Sequence, residues 1–321
     1  MNRVESRSLA RKLAPLVWLA FMGAAAWVLS DRLRATDFGE ILRQLASLPA
    51  SVLIIATACS AGTYALVGLY EGMAVRLATG RRMRAYAFRT AITANPIARS
   101  IGFAIVSGGA LRYRMYAAEG LSLPQVGAII VLVAMPYFFA VGWLIDLSVL
   151  LNVEQAGTAL RLPPDLLVVL GLAGLAKDIG WLVFLWRRKD PIIVLGRSIP
   201  LPGLRHGLVQ IAFGLTQVSL MTTTLYILMP PELDLSWPAF VAIYCLAFIA
   251  GQLSSVPAGL GVLEAALLLM LPQVPPAKLV GAVLAYRAVY EVLPLLVALV
   301  LLLVYEAAHP SGLVRGRANR S

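Results

Sequence analysis

The sequence predicts an all-α, polytopic membrane protein, on three observations. Of its 321 residues, 60% are hydrophobic and only 13% charged, against roughly 25% charged in an ordinary soluble domain. The mean hydropathy is +0.82. Apolar stretches long enough to cross a hydrocarbon core of about 30 Å recur along the whole chain. The expected architecture is about six full transmembrane helices plus two opposed re-entrant hairpins, inverted-repeat-like. Together they form a single transporter-like domain over residues 1–321, with no soluble catalytic domain.

The same composition excludes several function classes. Cys59 and Cys245 lie far apart in apolar stretches and form no disulfide framework. His206 and His309 share no ligand spacing with them, so no metal site is expected. No phosphate-cradling glycine loop or nucleophile elbow is present, so neither a cofactor nor an enzyme active site is expected. The net charge of +11 falls mostly between apolar segments. It therefore reads as membrane topology, and no nucleic-acid partner is expected.

In chain order, a basic start with Arg3, Arg7, Arg11 and Lys12 precedes a first span at 14–30. A basic region before an apolar core resembles a signal peptide, but the core is long and no small-residue cleavage site follows, so a signal anchor fits better. In 31–50, Phe38, Ile41, Leu42, Leu45 and Leu48 recur at helical spacing, which predicts a short amphipathic surface helix. A second span covers 51–75, with Glu71 near its end. Residues 85–111 form the first broken segment. Asn95-Pro96 removes a backbone donor and disfavours helix at the preceding residue, and Gly108-Gly109 follows. Neither arm is then long enough to span alone, so a hairpin returning to its own side is expected.

Further spans are predicted at 124–151, 166–186 and 207–229, with a loop at 152–164 and a strongly basic loop after 186. Residues 237–271 form the second broken segment, interrupted at Pro257, Gly259 and Gly261. A last span at 279–305 holds Arg287, Glu291 and Pro294. Irregular backbone survives at membrane depth only where it is buried in protein or lines a cavity. Two Gly/Pro-interrupted segments in corresponding halves therefore point to a transport site between inverted repeats. With both termini in the cytoplasm, only Arg32, Arg34, Arg43, Arg161 and Lys278 of the loop cations fall outside, which the positive-inside rule favours. The first hairpin then enters from the cytoplasm and the second from outside.

Arg99, Asp146, Lys177, Asp178, Glu264, Arg287 and Glu291 lie in apolar stretches, where an unpaired charge costs at least about 2.5–3.5 kcal/mol. Arg287 and Glu291, spaced i, i+4, share a helix face and form either a structural pair or a phosphate site. Lys177 and Asp178, adjacent in sequence, are expected on different faces, each with a partner elsewhere. Glu264 reads equally as a carboxylate settled on a half-helix N-terminus and as an acceptor for a cationic headgroup or a proton. Arg112 and Arg114 read as positive-inside anchors or as a phosphate clamp at the cytoplasmic mouth. Asn95, Pro96, Gly108, Gly109, Pro257, Gly259 and Gly261 act through the backbone, as breaks and close approaches.

Three motifs carry a family resemblance. Ser107-Gly108-Gly109-Ala110-Leu111-Arg112-Tyr113-Arg114-Met115-Tyr116, followed by Glu119-Gly120-Leu121-Ser122, resembles a signature of the multiple peptide resistance factor family. Val256-Pro257-Ala258-Gly259-Leu260-Gly261-Val262-Leu263-Glu264 is similar to that family's second hairpin, with Ala258 where the pattern has Gly. Tyr286-Arg287-Ala288-Val289-Tyr290-Glu291-Val292-Leu293-Pro294 is similar to its last span. The resemblance implies a membrane domain that carries an aminoacylated phospholipid, such as lysyl-phosphatidylglycerol, from the inner to the outer leaflet of a bacterial inner membrane. That transfer contributes to resistance to cationic antimicrobial peptides. In fused members a cytosolic aminoacyltransferase makes the lipid; that domain is absent from this sequence. The implied partners are an anionic or aminoacylated phospholipid, a second copy of the chain or a separate lipid-aminoacylating synthase. Arg112, Arg114 and Arg287 would hold the phosphate, and Glu264 and Asp178 the headgroup amine. A carrier of a polyprenyl-phosphate-linked substrate and a non-transporting partner of a synthase are the alternatives.

Overall fold

A computed structural model describes residues 38–101, 104–187, 192–194, 197–199, 203–254 and 256–308. The first predicted span and the basic C-terminal tail lie outside the described residues. Five of the described helices are long and apolar enough to cross a membrane: Ala50–Thr79 (α2), Leu123–Leu151 (α5), Pro164–Arg187 (α7), Leu204–Tyr226 (α8) and the continuous stretch Pro276–Ala307.

The amphipathic helix forms as Phe38–Ala46 (α1). It packs its Ile41, with Leu45, against Ala277 and Val280. The stretch expected as a loop after α5 holds a further short helix, Val153–Leu160 (α6). One small departure from an all-α fold is a two-stranded antiparallel ribbon, Ile192–Val194 (β1) with Arg197–Ile199 (β2). The β-branched run Ile192-Ile193-Val194 favours extended chain there.

The first broken segment consists of Arg84–Ile101 (α3) and Ala104–Ala118 (α4). The helix does not break at Asn95-Pro96: both lie inside α3, and Gly108 and Gly109 lie inside α4. The Asn95 side chain donates to the Ala91 carbonyl at 2.9 Å, and Ser100 Oγ donates to the Pro96 carbonyl at 2.9 Å. Packing of α3 against its neighbours thus overrides a helix-breaking dipeptide, and the two arms are 18 and 15 residues long. Gly108 allows the arms to close on each other, since a Cβ there would lie 2.9 Å from that of Ala98.

The second broken segment consists of Trp237–Leu253 (α9), a single 3₁₀ turn at Pro257–Gly259, and Val262–Met270 (α10). Helix α9 is apolar all round and correspondingly central: every residue from Ala239 to Cys245 is buried. Seventeen residues rise only about 25 Å, and the nine of α10 about 14 Å.

The hairpins open toward opposite ends of the bundle. At one end, Arg114 of α4 pairs with Glu306 at 2.6 Å, and Arg81 Nη1 donates to the Glu119 carbonyl at 2.8 Å. At the other, Ser236 Oγ donates to Asn152 Oδ1 at 3.0 Å, and Gln273 Nε2 donates to the Leu233 carbonyl at 3.2 Å. There Lys278 also hydrogen-bonds Glu232, which holds that carboxyl below its ordinary range.

The last span is Pro276–Arg287 (α11), a π-helical turn at Ala288–Val292, and Leu293–Ala308 (α12). Pro294 lacks an N–H, which leaves carbonyls one turn back without partners. Helix α2 supplies them: Tyr64 Oη donates to the Tyr290 carbonyl and Ser60 Oγ to that of Val289, both at 3.1 Å. π-turns concentrate at functional sites, and this one follows Arg287 directly.

Helix α8 crosses α5 at Gly214. A Cβ there would stand 2.5 Å from the Pro136 carbonyl oxygen. Because that neighbour is backbone it cannot swing aside, so Gly214→Ala is expected to destabilise the fold by about 1–3 kcal/mol. Thermal unfolding of the purified protein in detergent checks this, and an unchanged midpoint would refute the tight crossing.

Candidate functional site: the meeting point of the two hairpins

The tip of the second hairpin is irregular backbone held by side chains. Ala258, Gly259 and Gly261 have φ of 52°, 62° and 79°, left-handed values that glycine adopts without strain and alanine does not. At Gly259 a Cβ would also lie 3.0 Å from Cα of Gly251. Glu264, in the first turn of α10, accepts from the Gly261 N–H at 2.9 Å, a favourable place for a carboxylate. The same carboxylate takes a two-pronged ion pair from Arg287, with Nε to Oε1 at 2.6 Å and Nη2 to Oε2 at 3.0 Å. Arg287 Nη1 also donates to Glu291 at 2.8 Å and to the Ala258 carbonyl at 3.0 Å. One buried guanidinium therefore ties the unwound tip to α10 and to the π-turn.

The first hairpin carries a parallel arrangement with the charges exchanged. Here the hairpin brings the arginine, Arg112, and the partner is Glu71 of α2. Arg112 Nε and Nη2 donate to the two Glu71 oxygens at 3.0 and 2.9 Å. Nη2 also donates to Asn95 Oδ1 at 3.0 Å, and Tyr116 Oη donates to Glu71 at 3.0 Å. Glu71 is fully buried and Arg112 is 5% exposed. A clamp open to the cytoplasm is thus not its position. Arg114 is the exposed member, paired with Glu306.

Between the hairpin tips lies a cleft lined by Arg99, Phe248, Gly251, Gln252, Ala258, Gly259, Leu263 and Glu291, with about 10 Å³ of free space, room for one water. Arg99, in the last turn of α3, reaches the cleft from the first hairpin, and Ala258 and Gly259 reach it from the second. Its guanidinium lies 5.2 Å from the Phe248 ring centre and 5.1 Å from that of Tyr290, within cation–π range. Its ion pair with Glu291 is loose, at 3.8 Å, and its Nε has no hydrogen-bond partner among the described residues. Arg287 has its donors engaged, whereas Arg99 retains capacity for a further acceptor.

The remaining predicted residues lie on a different seam. Lys177 and Asp178 were expected to point apart; instead the flexible lysine stem curls back, with Nζ 3.1 Å from Asp178 and 3.6 Å from Asp146 of α5. Neither Lys177 nor Asp178 lines the cleft between the hairpin tips. Two site residues escaped sequence reasoning. Arg99 was read as an intramembrane charge but given no role. Glu71 was read as lying near a span end, although a carboxylate so deep in a 30-residue apolar helix needs a cation.

These features define a multi-pass helical membrane protein in which two opposed helical hairpins meet over paired charges. No protein-family model matches the chain. It is 33% identical over 202 residues to the uncharacterized protein slr0712 of Synechocystis, an alignment that spans 62% of each chain. It is 25% identical over 308 residues to the inner membrane protein YbhN of Escherichia coli, covering 93% of each.

Proposed function

We propose that this chain is a lipid translocase of the inner membrane, the compartment named for the Escherichia coli relative, with both termini in the cytoplasm. Its substrate is a phospholipid with a charged, modified headgroup, such as lysyl-phosphatidylglycerol. The observation that carries this reading is Arg99. An arginine in a nearly closed cleft, between two hairpins that open to opposite ends of the bundle, keeps donor capacity that its 3.8 Å partner does not use. A phosphate oxygen suits it. Glu291, on the cleft wall, would face a headgroup amine. Arg287 and Glu264 would hold the hairpin in shape and do not contact lipid in this scheme. The acyl chains need no polar route and would stay in the bilayer while the headgroup passes between the tips. Moving such a lipid outward would lower the negative charge of the outer surface and blunt cationic peptides.

The test is leaflet exposure in proteoliposomes, read with an impermeant amine-reactive probe on lysyl-phosphatidylglycerol, with phosphatidylethanolamine as the amine-bearing comparison. The wild type is expected to expose the lysyl lipid faster than empty liposomes do. Arg99→Gln should slow this by about tenfold or more, the worth of a hydrogen bond to a charged group, with an unchanged elution profile. No acceleration of either lipid would end the translocase reading. Equal acceleration of both would remove its headgroup selectivity.

A further inference from the structure

Away from the hairpin tips, α5 and α7 meet along a seam that carries Asp146, Lys177 and Asp178. The helices are notched to receive these groups. Gly174 leaves the space that the Asp146 carboxylate fills, and a Cβ at Gly142 would lie 2.9 Å from Lys177 Nζ. Asp178 is completely buried, the Asp146 side chain is 14% exposed, and Lys177 is 57% exposed on the outer face of the bundle. The other charged groups on α6, α7 and α8 lie at helix ends: Glu154 on α6, Asp165 and Arg187 on α7, and Arg205 and His206 in the first turn of α8; on α2 and α4, which also pack on α5, Glu71 and Arg112 are paired with each other. At the depth of the seam, among the described residues, one ammonium faces two carboxylates.

The two carboxylates converge on the one ammonium, Asp178 Oδ1 at 3.1 Å and Asp146 Oδ2 at 3.6 Å from Lys177 Nζ. Apart from that ammonium, neither oxygen of Asp178, nor Oδ2 of Asp146, has a hydrogen-bond partner among the described residues. Two ionised carboxylates are acceptors only and cannot bond to each other. With one proton added, one of them becomes a donor as well as an acceptor. The charge count agrees. Two carboxylates and one ammonium leave a net negative charge in hydrocarbon, which is strongly disfavoured; one bound proton brings the group to neutrality.

We propose that Asp146 and Asp178 form a proton-binding site in the membrane, gated by Lys177, and that loss and uptake of this proton couple lipid movement to the proton gradient. The coupling rests on the translocase reading above; the proton site does not. The proton passes from water on one side of the membrane to a carboxylate oxygen and leaves to water on the other side once the lipid step has changed the access of the site. No other bond is made or broken. Lys177, the exposed member of the three, is the group through which the site opens to the surface of the bundle.

Infrared titration of the full chain in lipid vesicles tests the site. At neutral pH the wild type is expected to show a protonated-carboxyl C=O band that shifts in heavy water and disappears in both Asp178→Asn and Asp146→Asn. In each variant the new amide can donate to the remaining carboxylate, so the seam keeps its shape. A wild type without the band, or a band unaltered in both variants, overturns the site. For coupling, an imposed pH gradient should drive lysyl-lipid asymmetry in wild-type proteoliposomes and fail to do so in Asp178→Asn. Lipid exchange indifferent to the gradient in the wild type overturns coupling and leaves a static proton. No lipid exchange at all removes the translocase reading and the coupling with it, while the infrared result still decides the proton site.

Discussion

Arg112→Met is expected to destabilise the protein by about 3–5 kcal/mol, far more than loss of a surface ion pair. The reason is what remains behind. Glu71 is fully buried on α2, and without Arg112 its carboxylate keeps one donor among the described residues, the Tyr116 hydroxyl at 3.0 Å. Asn95 Oδ1 loses its partner in the same step. A carboxylate stranded in a low-dielectric interior is penalised for its full desolvation. Glu71→Leu should be comparably damaging, because it strands the arginine. The double substitution should recover most of the loss, since removing both charges removes the penalty as well as the attraction. Unfolding midpoints of the four proteins in one detergent give the cycle. If each single variant stays within about 1 kcal/mol of wild type, the pair is water-screened and its burial is wrong.

The distance between sequence and structure is largest where contacts are distant along the chain. The spans were legible because twenty-odd apolar residues leave few alternatives, and α9 with α10 was legible because Pro257, Gly259 and Gly261 fall within five positions. Asn95-Pro96 misled because the rule against interior proline is local, while α3 is held by tertiary packing and by the Asn95 amide bonding to Ala91. The Arg112–Glu71 pair joins residues 41 apart, and Arg287–Glu264 residues 23 apart. No helical periodicity relates such positions; only the charge anomaly of each signals that a partner exists. The π-turn was half legible: Pro294 announces a fault in the ladder, but not that Ser60 and Tyr64 of another helix repair it. Lys177 and Asp178 show the converse error. Adjacent residues do leave a helix in different directions, but a four-carbon stem reaches back across that angle, and the glycines of the seam leave room for it.

Arg287→Lys separates charge from geometry at the second hairpin. The ammonium preserves neutrality beside Glu264 and Glu291, yet it is a point charge and cannot reproduce a planar fork. Arg287 makes the bidentate contact with Glu264, a bond to Glu291 at 2.8 Å and one to the Ala258 carbonyl at 3.0 Å. Lysine can replace about two of these, so a loss of about 3–6 kcal/mol is expected, at 1.5–3 kcal/mol for each charged hydrogen bond. The structural consequence should be local. Ala258 is an alanine at φ 52°, a conformation it does not choose unaided, and its carbonyl is held by the arginine. Releasing it should free the 3₁₀ turn while α9, buried over most of its length, stays in place. A cysteine at position 256, in a protein with Cys59 and Cys245 replaced by alanine, would then react with a water-soluble maleimide about tenfold faster in Arg287→Lys than in the parent. Glu291→Gln, which leaves the Glu264 fork and the Ala258 contact intact, should change that rate much less. Equal labelling in all three proteins would mean that the tip is shaped by its own backbone and that the guanidinium merely sits beside it.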